Sequence, residues 1–269
     1  MVFNSSDVKS YAQYLICLNC KKSLSGASLT YNILVCPHCK KEWQVRNNRL
    51  IFSAYCDDYK GEPTIHPSII RERLSPRIYD FTFVMTRSYR IAFNEFLNYC
   101  DDKTGSGKLT ILDIGCGFKP FANLFSAKGD YIGIDISLNS YADFIADNNN
   151  LPFADNSFDV IIASEVLEHT TNEYEFVEEI RRVAKDSCII FISLPFVFPE
   201  HGTPFDFQRF TKYKLKELFK MEEIISIKES NNFISTLLIL SNIFLKTAST
   251  TKLRIFFYPV FIMNNILAL

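Results

Sequence analysis

The sequence predicts an α/β protein, a doubly wound and mostly parallel sheet preceded by a small metal-stabilised ribbon. Three observations carry that reading. Short apolar runs alternate with helical patterns from residue 109 to 230, the first run ends in an acid followed by paired glycines, and two Cys-x-x-Cys pairs stand near the start. Strands that alternate with helices build a sheet covered on both faces.

The pairs Cys17/Cys20 and Cys36/Cys39 are separated by fifteen residues. Two thiolates on a tight turn share one tetrahedral ion, and two such turns close the site. Four protein ligands leave no open position, so this spacing predicts a structural zinc in a module spanning 1–53. Cys56, Cys100, Cys116 and Cys188 stand alone and read as ordinary buried thiols, and His38 as a surface side chain. Residues 54–108 form a linker and a helical lead-in, with apolar positions at helical spacing from Pro76 to Cys100. Strands are expected at 109–114, 131–136, 158–164, 188–194 and 223–230, with helices over 172–185 and 211–221. An antiparallel strand to close the sheet is not evident after residue 231. The tail, 232–269, reads as apolar helices interrupted by Pro259 and Asn264-Asn265.

Composition narrows the function. The 269 residues are 48% hydrophobic with a net charge of -1, which excludes a disordered chain and a polyelectrolyte. Residues 1–50 carry seven cations against two anions, a local charge of +5, so the remainder sums to -6. Eight cysteines without an export pattern at MVFNSSDVKS suggest a reducing, cytoplasmic setting. No run reaches the ~20 apolar residues of a membrane span. Two uncharged fifteen-residue runs, 231–245 and 255–269, instead suggest a lid, a packing surface or a peripheral contact with the inner membrane face. Oligomeric state is not legible.

The stretch ILDIGCGFKP, 111–120, places Asp113 at a strand end and Gly115 and Gly117 in the following turn. Glycines let backbone approach a ligand closely there. The third glycine of a dinucleotide fingerprint is replaced by Pro120, and no Gly-Lys-Ser/Thr phosphate cradle exists. An acid before the glycines suits a ligand that carries positive charge. Asp135, at the end of the second run, can accept both ribose hydroxyls of an adenosine. Asp147 can accept from an adenine amino group while a neighbouring amide meets the ring.

With these residues in order, 109–230 resembles the class I S-adenosylmethionine-dependent methyltransferases, a Rossmann-like family. The shared features are LDIGCG, Asp-x-x-x-LPF-x-x-x-x-FD at 147–159 and EVLEH at 165–169. The resemblance implies Asp113, Gly115 and Gly117 around the methionine moiety, and Asp135 and Ile136 at the ribose. It further implies Asp147 and Asn148 at the adenine, with Ser164 and Glu165 lining the sulfonium end. Lys119-Pro120 departs from relatives that carry another glycine there. The ribbon is similar to zinc modules fused to some bacterial methyltransferases, including rRNA guanine methylators. The segment 194–211 is similar to methyltransferases from surface-polysaccharide gene clusters.

Acceptor groups are expected after the fifth strand. His201 titrates in a useful range for a general base, with Asp206 or Glu200 as its orienting partner. Arg209 suits an anionic acceptor group, and Glu200 and Phe207 are further substrate contacts. An ordered loop pinned by His201 and Asp206 is the bland alternative. His169 reads as a cap or packing residue, and nothing marks His66. Three functions remain open: methylation of a saccharide or lipid-linked glycan, methylation of an RNA base with the basic ribbon on phosphates, and an inactive interaction module.

Overall fold

The computed structural model describes residues 11–53, 77–105, 107–248 and 256–269. Cys56, His66 and Pro76 lie outside them. The described residues form two compact units, one of 11–53, 107–196 and 200–221, the other of 77–105, 197–199, 222–248 and 256–269.

The first unit is built on one nine-stranded sheet. The ribbon supplies β1 (Ser28–Thr30), β2 (Ile33–Val35), β3 (Glu42–Arg46) and β4 (Arg49–Ile51). The remainder are β5 (Leu109–Ile114), β6 (Gly129–Asp135), β7 (Phe144–Ile145), β8 (Phe158–Ser164) and β9 (Ala184–Ser193). Their order is β1-β2-β3-β4-β7-β6-β5-β8-β9. Pairing is antiparallel within the ribbon and parallel from β4 onward, where Leu50 faces Phe144 and Ile51 faces Ile145. The doubly wound α/β architecture expected from the sequence is therefore present. The ribbon is not a bead on a string, because its last strand extends the parallel sheet. One hydrophobic core joins them: Leu15, Cys36 and Leu50 of the ribbon pack in the same cluster as Ile132, Phe144 and Phe153.

The apolar runs explain which strands lie centrally. β5 reads LTILDI and is buried at all six positions; β8 is buried at all but Asp159. The LPF-x-x-x-x-FD segment serves the fold. Leu151, Phe153 and Phe158 are fully buried, and Asp159 accepts from the Thr110 amide (2.8 Å) and from Lys185 Nζ (2.9 Å).

Three helices flank this sheet, with α1 (Phe83–Thr104) lying in the second unit: α2 (Ala122–Phe125), α3 (Glu173–Val183) and α4 (Lys212–Leu218). Pro120 was expected at the start of a helix; α2 begins two residues later and is a single turn. In α3, Asn172 caps the first turn by accepting from the Tyr174 and Glu175 amides, and Arg181 and Arg182 complement the last turn. Its face of Phe176, Val177, Ile180 and Val183 is buried against the sheet. Phe176→Ala is expected to cost about 3–5 kcal/mol in urea unfolding, since a fully buried ring leaves a cavity.

Residues 223–230 were expected to form a strand and do not. Ile224 and Ile225 are exposed, so the segment has no buried face holding it against a sheet. Among the described residues no strand follows β9, so the antiparallel closing strand is absent there.

In the second unit, α1 packs with α5 (Phe233–Ala248), and α5 with α6 (Tyr258–Leu267). Asn264 and Asn265, expected to interrupt a helix, are buried inside α6. Asn264 donates to Asn242 Oδ1 (2.8 Å), Asn242 donates to Asn265 Oδ1 (3.1 Å), and Asn265 donates to the carbonyls of Ile78 and Asp80. A satisfied amide network of this kind fixes how the helices meet. No described helix is long and apolar enough to cross a membrane.

Candidate active site and metal centre

The carboxyl ends of the parallel strands gather the expected cofactor residues on one edge. Asp113 faces Gly133 across β5 and β6, Asp135 faces Ile145 across β6 and β7, and Ser164 faces Ser193 across β8 and β9. The order in which strands are added reverses between β5 and β8, where open α/β sheets place their ligand crevice.

Gly115 and Gly117 both adopt positive φ, +64° and +50°. A Cβ on Gly115 would meet Val166 Cγ2 at 2.4 Å, so this turn has no room for a side chain. Lys119 is left-handed as well (φ +53°), a conformation that glycine adopts without strain. Here the strain comes with a tether, because Lys119 Nζ reaches Asp143 (2.5 Å), whose Oδ2 also accepts from the Gly133 amide (2.8 Å).

Asp135 closes β6 at the carboxyl edge of the sheet. Its Oδ2 accepts from the Gly117 amide (3.0 Å) and its Oδ1 from the Ser137 amide (2.8 Å). A carboxylate offers about four acceptor positions. Burial pushes its pKa up despite these two amides and the charge of Arg49. Ile136 follows it, half-buried. Asp113 is buried and accepts from the Tyr131 hydroxyl, whose own pKa is driven upward by burial and by Asp113. Asp147 lies two residues beyond β7 and turns the chain locally by accepting from the Asn149 amide (2.9 Å); Asn148 beside it is half-buried. Ser164 Oγ lies 3.0 Å from Ser193 Oγ, and Ser193 donates to Glu165 Oε1 (3.1 Å). Glu165 takes φ +57°, held by its amide donating to the Ser193 carbonyl.

One residue that holds this edge escaped the sequence reading. Arg49, at the start of β4, donates through Nη1 to the Ser140 carbonyl (2.5 Å) and through Nη2 to that of Leu138. The ribbon thereby clamps the loop that follows Asp135. Asn47 and Asn48 both take positive φ in the tight β3–β4 turn that delivers it. No local pattern shows this, since the contact spans 91 residues.

The four expected metal ligands converge. Cys17 Sγ lies 3.6 Å from Cys39 Sγ, and Cys20 Sγ lies 3.8 Å from Cys36 Sγ. These separations exclude disulfides, and a tetrahedral ion with metal–sulfur bonds of about 2.3 Å places its sulfurs about 3.8 Å apart. The two turns are alike. The Lys21 amide donates to the Cys17 carbonyl and the Lys40 amide to that of Cys36, with both lysines left-handed. The Lys41 amide and then the Asn19 side chain pull the Cys39 thiol down to about 6. For Cys20 the Lys22 amide acts downward, but burial and the neighbouring sulfurs outweigh it and push the thiol up to about 11. The donor set fits a closed zinc site.

The expected acceptor residues form a compact loop. The His201 amide donates to Asp206 Oδ2 (2.9 Å), and His201 Nδ1 lies 3.3 Å from the same oxygen. Arg209 forks onto Asp206 at 2.5 and 2.7 Å. That fork, followed by the His201 amide, holds the Asp206 carboxyl well below the usual range. Asp206 is thus the partner of His201; Glu200 is exposed and accepts from Thr203 Oγ1. Arg209, expected to meet an acceptor anion, gives this fork to Asp206, and Phe207 is exposed.

Residues 112–192 match the methyltransferase domain family. The chain is 41% identical over 83 residues to an uncharacterized protein of Methanocaldococcus jannaschii, a match covering 28% of this chain and 36% of that protein. It is 33% identical over 98 residues to an uncharacterized methyltransferase of Mycolicibacterium vanbaalenii, covering 32% of this chain and 38% of the relative. The chain thus spans under half the length of these curated relatives. Among solved structures, it is similar to an S-adenosylmethionine-dependent methyltransferase from Archaeoglobus fulgidus, with 19% identity and a TM-score of 0.41, covering 66% of this chain and 91% of that one. The first unit thus joins a match to the methyltransferase domain family over 112–192 with a doubly wound, mostly parallel sheet.

Proposed function

We propose that this chain transfers a methyl group from S-adenosylmethionine to a hydroxyl of a saccharide or lipid-linked glycan intermediate, with zinc in the cysteine site as a structural ion. The observation that carries the reading is Asp135. It is a carboxylate with raised pKa at the carboxyl edge, held by two backbone amides and retaining acceptor positions for a ribose diol. The glycine turn beside it gives the close backbone approach that a bound adenosyl ligand needs.

The cofactor supplies an activated methyl on a sulfonium. In the transfer the S–CH3 bond breaks as an O–CH3 bond forms, and the acceptor hydroxyl loses its proton. A hydroxyl, unlike a ring nitrogen with a free lone pair, needs that proton removed. The loop after β9 offers the means: Asp206 holds the His201 amide (2.9 Å) with its carboxylate 3.3 Å from Nδ1, and a base at Nε2 would take the proton. The glycan reading draws support from this pair. The lipid-linked form draws support from Phe233, Phe244 and Leu267, all exposed on α5 and α6. The cations of the ribbon give the RNA reading less support, since Arg49 is committed to the loop behind Asp135 and Lys21 to Asn150.

The test uses methyl-tritiated S-adenosylmethionine with nucleotide sugars, polyprenyl-linked oligosaccharides and ribosomal RNA as separate acceptors. Label is expected in a saccharide pool and lost in His201→Ala. Label in RNA alone would sink the glycan assignment.

A further inference from the structure

Beside the carboxyl edge, Glu168 and His169 of the EVLEH segment meet His201 of the loop after β9. Glu168 is fully buried, and neither of its carboxylate oxygens has a hydrogen-bond donor among the described residues. Its Oε1 faces two imidazoles instead, His169 Nε2 at 3.8 Å and His201 Nε2 at 3.7 Å. The three ligand atoms lie within 4.8 Å of one another. The two rings stand edge to face with centroids 4.9 Å apart.

The shell around the cluster is built to hold it. His169 Nδ1 is 2.7 Å from the Phe205 carbonyl, which only accepts, so the ring proton sits on Nδ1 and the lone pair on Nε2. His201 has its Nδ1 against Asp206, itself locked by Arg209. The amides of Phe207 and Gln208 both donate to the Glu168 carbonyl (2.9 and 3.2 Å), closing the loop over the helical turn at 167–169. Gly202 packs on the His169 ring, where a Cβ would come within 3.1 Å of Cε1.

Both Nε2 atoms are turned on a buried carboxylate that has no hydrogen-bond donor among the described residues, and a cation held between the three groups satisfies that carboxylate. Carbonyl or carboxylate on the far nitrogen of each ring is the arrangement that orients metal-bound histidine. We propose that Glu168, His169 and His201 bind a divalent first-row cation of the manganese-to-zinc range, separate from the cysteine site. Two nitrogens and one oxygen suit such an ion and leave coordination positions open. Ligand separations of about 3.0–3.5 Å accompany bonds near 2.1 Å, so binding draws the three groups slightly together. Resting on the methyl-transfer reading above, the open positions accept an acceptor oxygen; with the ion bound, His201 Nε2 serves as a ligand in place of a base, and the hydroxyl, made acidic by the ion, gives its proton to solvent.

The test is titration of the full zinc-loaded chain with cobalt(II), followed by visible spectroscopy, and with manganese(II), followed by electron paramagnetic resonance. One further ion per chain is expected, with a nitrogen–oxygen spectrum free of sulfur charge-transfer bands. Glu168→Gln and His169→Gln should each weaken it by about a hundredfold or more, while Glu175→Gln on the exposed face of α3 leaves it unchanged. Unaltered S-adenosylmethionine affinity in the variants certifies their fold. Absence of saturable binding up to millimolar metal, or wild-type affinity in Glu168→Gln, overturns the proposal. Binding without methyl transfer leaves the site standing and sinks the functional reading; methyl transfer without binding does the reverse.

Discussion

Asp135→Ala is expected to lower affinity for S-adenosylmethionine by about a hundredfold or more in calorimetric titration. Hydrogen bonds to an ionised acceptor are worth about 1.5–3 kcal/mol each, and a ribose diol makes two. The substitution also removes the acceptor for the Gly117 and Ser137 amides, which hold the glycine turn against the next loop. Its pH dependence has a definite sign. The ligand needs the ionised carboxylate, and burial has raised this pKa, so affinity falls as pH drops toward the raised value. That loss begins at higher pH than the ~3.9 of a free aspartate. Affinity that is flat down to pH 4, or a variant that binds normally, contradicts the assignment.

Stripping the cysteine site is expected to damage more than the ribbon. A small ribbon owes much of its folding free energy to its ion, about 10 kcal/mol or more in zinc-finger peptides. Here β4 continues into the parallel sheet and the ribbon residues share its core. Losing even about 5 kcal/mol from a unit of this size lowers the thermal midpoint by about 10–20 °C. Cys36→Ser or treatment with a strong chelator should therefore lower both the midpoint and cofactor affinity, the latter because Arg49 no longer clamps the 138–140 carbonyls. If the ribbon melts while the cofactor binds unchanged, the ribbon is an independent appendage.

The fold and the placing of the candidate residues were legible because those residues are close in sequence or sit at strand ends. Asp113, Gly115, Gly117 and Asp135 are placed by the period of the strands and by the conformational freedom that tight turns require. The cysteine pairs carry their geometry in their spacing. What stayed hidden depends on contacts between distant segments. Arg49 reads as one more cation of a basic ribbon until β4 is seen beside β7. Glu168 lies inside a familiar string of residues, and its burial against His201 follows only from the return of the loop after β9. Composition misled in two places. The β-branched run at 223–230 lacks a partner edge, and Asn264-Asn265, read as interruptions, are satisfied inside a helix by a second helix and two carbonyls.

The most direct measurement is a crystal structure of the zinc-loaded chain with S-adenosylhomocysteine. The adenosine should lie along the carboxyl edge, with its ribose hydroxyls on Asp135 and its sulfur directed toward Ser164 and the His201 loop. A ligand bound elsewhere, or Asp135 turned away from the ribose, would contradict the account at its root.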